Sequence, residues 1–202
     1  MTQYCTIHPD NPQLRLIKQI THSLASGGVI ILPTDTCYVL ACQMGDHQAN
    51  DRIRAIRRLD EAHLFTLLCQ DLSDLGTYAK VDNPTYKLLK SMIPGSFTFI
   101  LSASREVPKR LWHVKRKTVG LRVSADPVCR AILSEFRQPL LISTLKLPQQ
   151  DLPLTDPEEM KNMLDGRVDW IINAGMGSCE MTTVIDLTLT PPSVIREGKG
   201  RL

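Results

Sequence analysis

No two of the six cysteines, Cys5, Cys37, Cys42, Cys69, Cys129 and Cys179, stand at the C-x-x-C spacing of a zinc or redox site. Several fall inside apolar strand or helix patterns, where a free thiol serves as a small core residue. The histidines, His8, His22, His47, His63 and His113, are equally scattered, so spacing assembles neither a metal site nor a Cys/His nucleophile pair. The glycine-rich loops of P-loop or Rossmann spacing are missing, which removes those two routes to a nucleotide. Aromatic residues make up 5% of the chain and are not interleaved with its basic run, which argues against stacking of single-stranded bases. No apolar run approaches a membrane span, and Met1-Thr2-Gln3-Tyr4-Cys5 lacks the blocks of a signal peptide. The expectation is a cytoplasmic protein without membrane contact.

With 202 residues and 43% hydrophobic content, the chain can bury one substantial core, and a single domain over 1–202 is expected. It is organised around Gly27-Gly28-Val29-Ile30-Ile31-Leu32-Pro33-Thr34-Asp35-Thr36-Cys37-Tyr38. Four consecutive aliphatics read as a strand buried on both faces, ended by Pro33, which cannot continue a ladder. Thr34, Asp35 and Thr36 follow just past its carboxyl end, where open α/β sheets gather small ligands; the same groups also cap ordinary turns.

Before this stretch, Asn11 and Pro12 predict a helix start, with Leu14, Ile17 and Leu24 on one face. Cys37 to Cys42 reads as a strand, and about Gln48 to Leu59 as a helix that buries Ile53 and Ile56 and presents Arg54, Arg57 and Arg58 together on another side. Further strands are expected at Phe65–Cys69, Phe97–Leu101, Thr118–Val123, Pro139–Thr144, Val168–Ile172, Thr183–Leu187 and Ser193–Arg196, with helices over Asp71–Tyr78, from Asn83-Pro84 until Pro94-Gly95 ends it, over Asp126–Phe136 and from Asp156. This alternation predicts an α/β fold with one mixed sheet covered by helices. The link from Ile30–Leu32 to Val39–Cys42 is too short for a helical crossover, so those strands pair antiparallel or sit apart.

The expected strand ends deliver Thr34 with Asp35, Thr66, Thr98, Arg122, Ser143 with Thr144, Thr183 and Arg196. An arginine on a buried strand is expensive unless paired or engaged by an anion. Arg122 and Arg196 therefore mark either an anion pocket, with guanidinium forks on phosphate or carboxylate, or structural ion pairs with Asp35, Asp186 or Glu197.

Five segments together resemble the YrdC/YciO family: 27–36, Pro94-Gly95-Ser96-Phe97-Thr98-Phe99-Ile100-Leu101, Gly120-Leu121-Arg122-Val123, Thr182-Thr183-Val184-Ile185-Asp186 and Ile195-Arg196-Glu197-Gly198. His8-Pro9-Asp10-Asn11-Pro12 and Lys115-Arg116-Lys117-Thr118 look closest to the YciO branch. The resemblance implies a YrdC/RibB-like α/β fold, a twisted mixed sheet with helices packed on it around a concave, positively charged cavity. It also implies threonylcarbamoyl-AMP synthase chemistry, in which L-threonine, bicarbonate and ATP with Mg2+ give threonylcarbamoyl-AMP and pyrophosphate for tRNA modification. Thr34 and Arg122 would then hold threonine or its adduct, Thr183 and Arg196 the nucleotide phosphates, and Thr98 and Ser143 would line the same cavity. Thr66 and Thr144 join the expected binding set. No tightly bound protein metal is implied, because magnesium travels with ATP.

Two triplets depart from the synthase pattern. A Lys-x-Arg triplet corresponds here to Arg57, Arg58 and Leu59, so the second cation is lost; a Ser-x-Asn triplet corresponds to Thr144, Leu145 and Lys146, which removes an amide and adds a charge. Both lie at groups that would touch ATP, so the expected function is a weak or diverged synthase, with Arg57 and Lys146 in the nucleotide site. A different class of reading is a double-stranded RNA or tRNA binder without catalysis, using Arg54, Arg58, Lys109, Arg110, Lys115, Arg116 and Lys117 on phosphates. A third is a hydrolase or binder of another adenylate, with Asp35 orienting water.

Overall fold

A computed structural model describes residues 1–113 and 115–201; Val114, within the basic stretch, and Leu202 lie outside the described residues. Ten strands form one sheet. In chain order they are β1 (Gln3–Thr6), β2 (Ile30–Leu32), β3 (Val39–Gln43), β4 (Thr66–Leu68), β5 (Phe97–Ser102), β6 (Thr118–Arg122), β7 (Leu140–Thr144), β8 (Trp170–Asn173), β9 (Thr183–Asp186) and β10 (Ser193–Arg196). Across the sheet the order is β1-β8-β2-β3-β7-β4-β6-β5-β9-β10. The ladders are mixed: β1 and β2 flank β8 in parallel, β4 runs parallel to β6 and β5 to β9, and the other neighbours are antiparallel. The short link after β2 does give an antiparallel pair, with Ile30 opposite Ala41 and Leu32 opposite Val39.

Strand alternation splits the core into two layers. Ile31, Leu40, Leu67, Phe99, Leu121 and Ile185 face one layer, which is covered by α2 (His47–Arg57), α3 (Leu72–Tyr78), α4 (Asn83–Met92) and α6 (Pro157–Leu164) through Ile53, Leu75, Leu89 and Met160. Ile30, Leu32, Val39, Ala41 and Ile142 face the other, where α1 (Leu14–Ala25) and α5 (Pro127–Phe136) pack through Ile17, Ile20, Leu24, Val128 and Ile132. On that second side the core cluster takes its residues from β2, β3, β7 and β8 together with Leu68 of β4. The polar residues that β5, β6 and β9 turn to the same side become the floor of a cavity.

Helix starts follow local chemistry. Asp46, Asp71, Asp82, Asp126 and Asp156 each accept a hydrogen bond from a first-turn N–H, and proline follows in three of those five helices, α4, α5 and α6. Asn11 is not a cap: α1 starts at Leu14 after Gln13, whose side chain makes no capping bond. Its buried face is Ile17, Ile20, Thr21 and Leu24, and this leaves Leu14 59% exposed, against the expectation that it belonged to that face. Strand β1, which the sequence does not announce, adds in parallel to β8, with Tyr4 opposite Ile171. Among the described residues no helix is long and apolar enough to cross a membrane.

Candidate functional site

The corner after β2 is built around one carboxylate. Asp35 Oδ1 accepts from Arg122 Nη2 at 2.8 Å, from the Ala125 N–H at 3.2 Å and from the Ser124 hydroxyl, while Oδ2 accepts from Ser96 Oγ at 2.7 Å. Burial pushes the Asp35 carboxyl up, but the Arg122 guanidinium and the Ser124 and Ser96 hydroxyls outweigh it and hold the group below its ordinary value. Thr34 Oγ1 accepts from Arg122 Nη2 at 3.2 Å and donates to the Cys37 carbonyl at 2.6 Å. Arg122 is thus aimed from two sides. Its side chain is 4% exposed, and its Nε is buried with no hydrogen-bond partner.

Arg122 opens into a cavity of about 290 Å³. Register explains the floor. Thr66 lies opposite Gly120, Gly120 opposite Ile100 and Ile100 opposite Asp186; Thr98 lies opposite Val184 and Val184 opposite Arg196. These residues alternate with the core side chains Leu67, Leu121, Phe99 and Ile185, so they must face the other way. Gly120 keeps the floor low, since a Cβ there would meet Thr66 Oγ1 at 3.3 Å and Thr98 Cγ2 at 3.6 Å.

One wall comes from α2 and β7. Arg57 donates through Nε to the Lys146 carbonyl at 3.1 Å and through Nη1 to the Ser143 hydroxyl, and His63 Nε2 lies 3.4 Å from that same hydroxyl. Burial and the charges of Arg57 and Arg54 push the His63 imidazole below its ordinary value, so it is neutral at pH 7. Arg54 turns elsewhere: it donates to the His63 and Asp60 carbonyls and sits over the Phe65 ring at 4.9 Å. Arg58 is the exposed left-handed cap of α2, and Leu59 packs against the core. The three arginines therefore diverge instead of sharing a face.

The opposite wall comes from β9, β10 and the loop before β6. Arg196, on the exposed edge strand β10 and not on a buried one, donates through Nη2 to the Thr182 carbonyl at 2.9 Å and through Nη1 to Met181 Sδ at 3.7 Å. Thr182 Oγ1 is 2.8 Å from Thr98 Oγ1. Arg116 pairs with Asp186 at 2.9 Å, so Asp186, expected as a partner for Arg122 or Arg196, is taken by a residue of the basic stretch. Behind this wall Thr183 Oγ1 donates to the Gly200 carbonyl at 2.7 Å and accepts from the Gly198 N–H, and Lys199 Nζ reaches the Asp35 carbonyl at 2.5 Å.

Of the residues expected to bind, Arg57, Thr66, Thr98, Arg122, Ser143, Thr144, Lys146 and Arg196 line this one cavity. Thr34 and Thr183 stand behind it, one orienting Arg122 and the other holding the segment after β10. The cavity also takes His63, Arg116, Thr118 and Thr182, which the sequence reading left out or assigned elsewhere. Five cationic side chains, Arg57, Arg116, Arg122, Lys146 and Arg196, line it, and none of its described lining residues is acidic. From the basic set, Arg54, Arg110 and Lys115 border an adjoining hollow that shares His63, Leu64 and Phe65; Lys109 and Lys117 are exposed.

Comparison with known proteins agrees with this architecture. The Sua5/YciO/YrdC family model, whose description reads "Telomere recombination", matches residues 22–198. The chain belongs to this family. It is 48% identical to Escherichia coli YciO over 200 residues, 99% of this chain and 97% of that one, and the crystal structure of that protein superimposes with a TM-score of 0.95 over 100% of this chain and 98% of the other. The threonylcarbamoyl-AMP synthase of Methylobacillus flagellatus is 28% identical over 171 residues, 84% of this chain and 94% of the synthase. P. abyssi Sua5, solved in complex with L-threonine, shares the fold at a TM-score of 0.88 with 22% identity, over 98% of this chain and 58% of Sua5.

Proposed function

We propose that the cavity is a threonylcarbamoyl-AMP synthase-type site, weakened or diverged, that binds a nucleoside triphosphate beside a small carboxylate such as L-threonine. The observation that carries this reading is Arg122: a guanidinium anchored through Nη2 on Asp35 and Thr34, lining a cavity with four further cations and, among the described residues, no carboxylate. A carboxylate or phosphoryl oxygen in the cavity meets the part of the guanidinium that Asp35 and Thr34 leave free.

The donor set also fits ATP. Cations and hydroxyls suit phosphate oxygens, and magnesium enters as the ATP complex, held by those oxygens and water. In the reaction, the threonine amine loses a proton and bonds to the carbon of bicarbonate with loss of water. The carbamate oxygen then bonds to the α-phosphorus as the α–β bridge breaks, and pyrophosphate leaves. No enzyme nucleophile is required. The chain's residues position the two substrates and neutralise phosphate charge.

The altered triplets support the weakened form. Leu59 packs, partly buried, against the core and supplies no charge, so the α2–β7 wall relies on Arg57 and on Lys146. The test is pyrophosphate release from ATP and Mg2+ at high protein concentration, with and without L-threonine and bicarbonate. Release that needs both co-substrates is the expected result; absence of release under those conditions, with ATP bound, rejects synthase chemistry.

RNA binding is a second reading, favoured by one observation. Lys109 and Arg110, in a short 3-10 turn, and Lys115 and Lys117 after it are exposed on the connection from β5 to β6, which suits contacts to phosphates rather than to bases.

A further inference from the structure

L-threonine enters as an ammonium, and bonding of its nitrogen to the bicarbonate carbon releases water and one proton that some group must accept. The cavity offers few acceptors. Its ionisable lining among the described residues is Arg57, Arg116, Arg122, Lys146, Arg196 and His63, and the first five are cations without a lone pair for a proton. The Asp35 carboxylate behind Arg122 is occupied by that guanidinium, by the Ser124 and Ser96 hydroxyls and by the Ala125 N–H. Only the His63 imidazole is left.

The turn between α2 and β4 sets the position of this ring. The His63 N–H donates to the Asp60 carbonyl at 3.3 Å, its carbonyl accepts from Arg54 Nη2 at 3.2 Å, and the imidazole meets the Phe65 ring edge-on with centroids 5.4 Å apart. Its Nε2 lies 3.4 Å from Ser143 Oγ. Arg57 Nη1 can only donate to that oxygen, which leaves the Ser143 hydroxyl hydrogen free to point at Nε2 while the ring carries its own hydrogen on Nδ1. Ser143 lines the cavity, so its hydroxyl bridges imidazole and cavity. Arg57 and Arg54 face the ring from α2 and, with burial, disfavour its protonation; Asp60 acts the other way. Lys146 shares the cavity wall, and Glu61, Arg110, His113 and Lys115 stand on the side of the adjoining hollow. The free protein thus holds the imidazole in its proton-accepting form, and phosphates arriving against Arg57 offset that charge, so the imidazolium is tolerated once formed.

We propose that His63, acting through the Ser143 hydroxyl, is the general base that takes the proton given up by the threonine amine as the carbamate forms. This rests on the synthase reading above and deepens it. An ammonium proton passes to Ser143 Oγ as the hydroxyl proton passes to His63 Nε2. The lone pair so freed forms the N–C bond to bicarbonate, hydroxide leaves that carbon and takes a second amine proton as water, and the imidazolium returns its proton to solvent. Ser143 touches the amine; His63 reaches it only through Ser143.

The pH dependence of pyrophosphate release from ATP–Mg2+, L-threonine and bicarbonate tests it, in wild type, His63→Gln and His63→Gly. Glutamine keeps a polar group beside Ser143 and accepts no proton. The wild-type rate should level off above the pH at which the His63 ring titrates by proton NMR with ATP–Mg2+ bound. His63→Gln should be at least about tenfold slower at pH 7, with KM for ATP changed far less than kcat, and its rate should go on rising with pH as the amine deprotonates unaided. Added imidazole should restore part of the rate of His63→Gly. A folded His63→Gln that keeps the wild-type rate overturns the base and leaves the synthase reading standing; so does one slowed by the same factor at every pH, with no rescue of His63→Gly by imidazole. Should the variants fail to fold, the wild-type profile decides, and an acid limb that does not coincide with the His63 titration overturns the base. A wild type that binds ATP and releases no pyrophosphate with both co-substrates removes the synthase reading and the base with it.

Discussion

Arg122 and Asp35, 87 residues apart in the chain, meet at 2.8 Å and join the end of β6 to the corner after β2. Both side chains are largely buried, 4% and 14% exposed. The pair uses one nitrogen of the guanidinium, Nη2, and so fixes the group in the cavity wall.

Removing the carboxylate therefore exposes what it does. Asp35→Ala should destabilise the fold by about 3–5 kcal/mol, since a buried guanidinium is left alone. For a chain of this size that is a fall in Tm of roughly 10 °C. The pH dependence has a fixed sign. Asp35 is held below its ordinary value of about 3.8, so its contribution is full above that value and is lost as pH falls below it. Thermal melts from pH 6 to pH 3 should show a flatter acid limb in Asp35→Asn than in wild type; parallel limbs would contradict the assignment.

His63 titrates in the opposite chemical sense. Burial and the charges of Arg57 and Arg54 lower its pKa from the ordinary value of about 6.5. The unfolded chain thus takes up a proton that the folded one resists, and stability falls as pH drops through 6.5. A phosphoryl group bound against Arg57 screens that repulsion. Proton NMR of the His63 ring should show its titration moving upward when ATP–Mg2+ is added, and no movement would place the phosphates away from this wall.

How far the sequence speaks depends on whether a residue's direction is local or set by the sheet. The β2 corner is legible because four aliphatics followed by Pro33 admit few other structures, and the antiparallel partner follows from a short link. Strand β1 is invisible because Gln3-Tyr4-Cys5-Thr6 lies at an edge with no fully buried position. The run from Lys109 to Arg122 reads as one basic stretch, yet Arg116 is drawn to the cavity by an acid 70 residues later. Likewise Arg54, Arg57 and Arg58 share a side by helical arithmetic, but α2 ends at Arg57 and Arg58 adopts φ 51°, which separates them. Charge runs fix composition; register decides which charge turns inward.

Lys146 is the substitution on which turnover depends if it replaces the lost cation. Its carbonyl is committed to Arg57 while its side chain lines the cavity. Lys146→Ala keeps the backbone acceptor and removes only the ammonium. Threonine-dependent pyrophosphate release should drop at least about tenfold, the loss expected for one charge-assisted hydrogen bond of roughly 1.5–3 kcal/mol. Unchanged release would mean Arg57 suffices on that wall.

The exposed loop makes a separate, salt-based prediction. Each phosphate neutralised by a lysine steepens the dependence of log affinity on log salt by about 0.9 for a duplex. Neutralising Lys109, Lys115 and Lys117 together should lower the slope for double-stranded RNA by roughly 2–3, whereas Arg116→Gln, whose guanidinium is turned to Asp186, should change it little. Measuring affinity at several salt concentrations separates the two sets. A slope that drops with Arg116 and not with the lysines would move the RNA contact from the loop into the cavity, and would set nucleotide and RNA in competition for the same guanidinium.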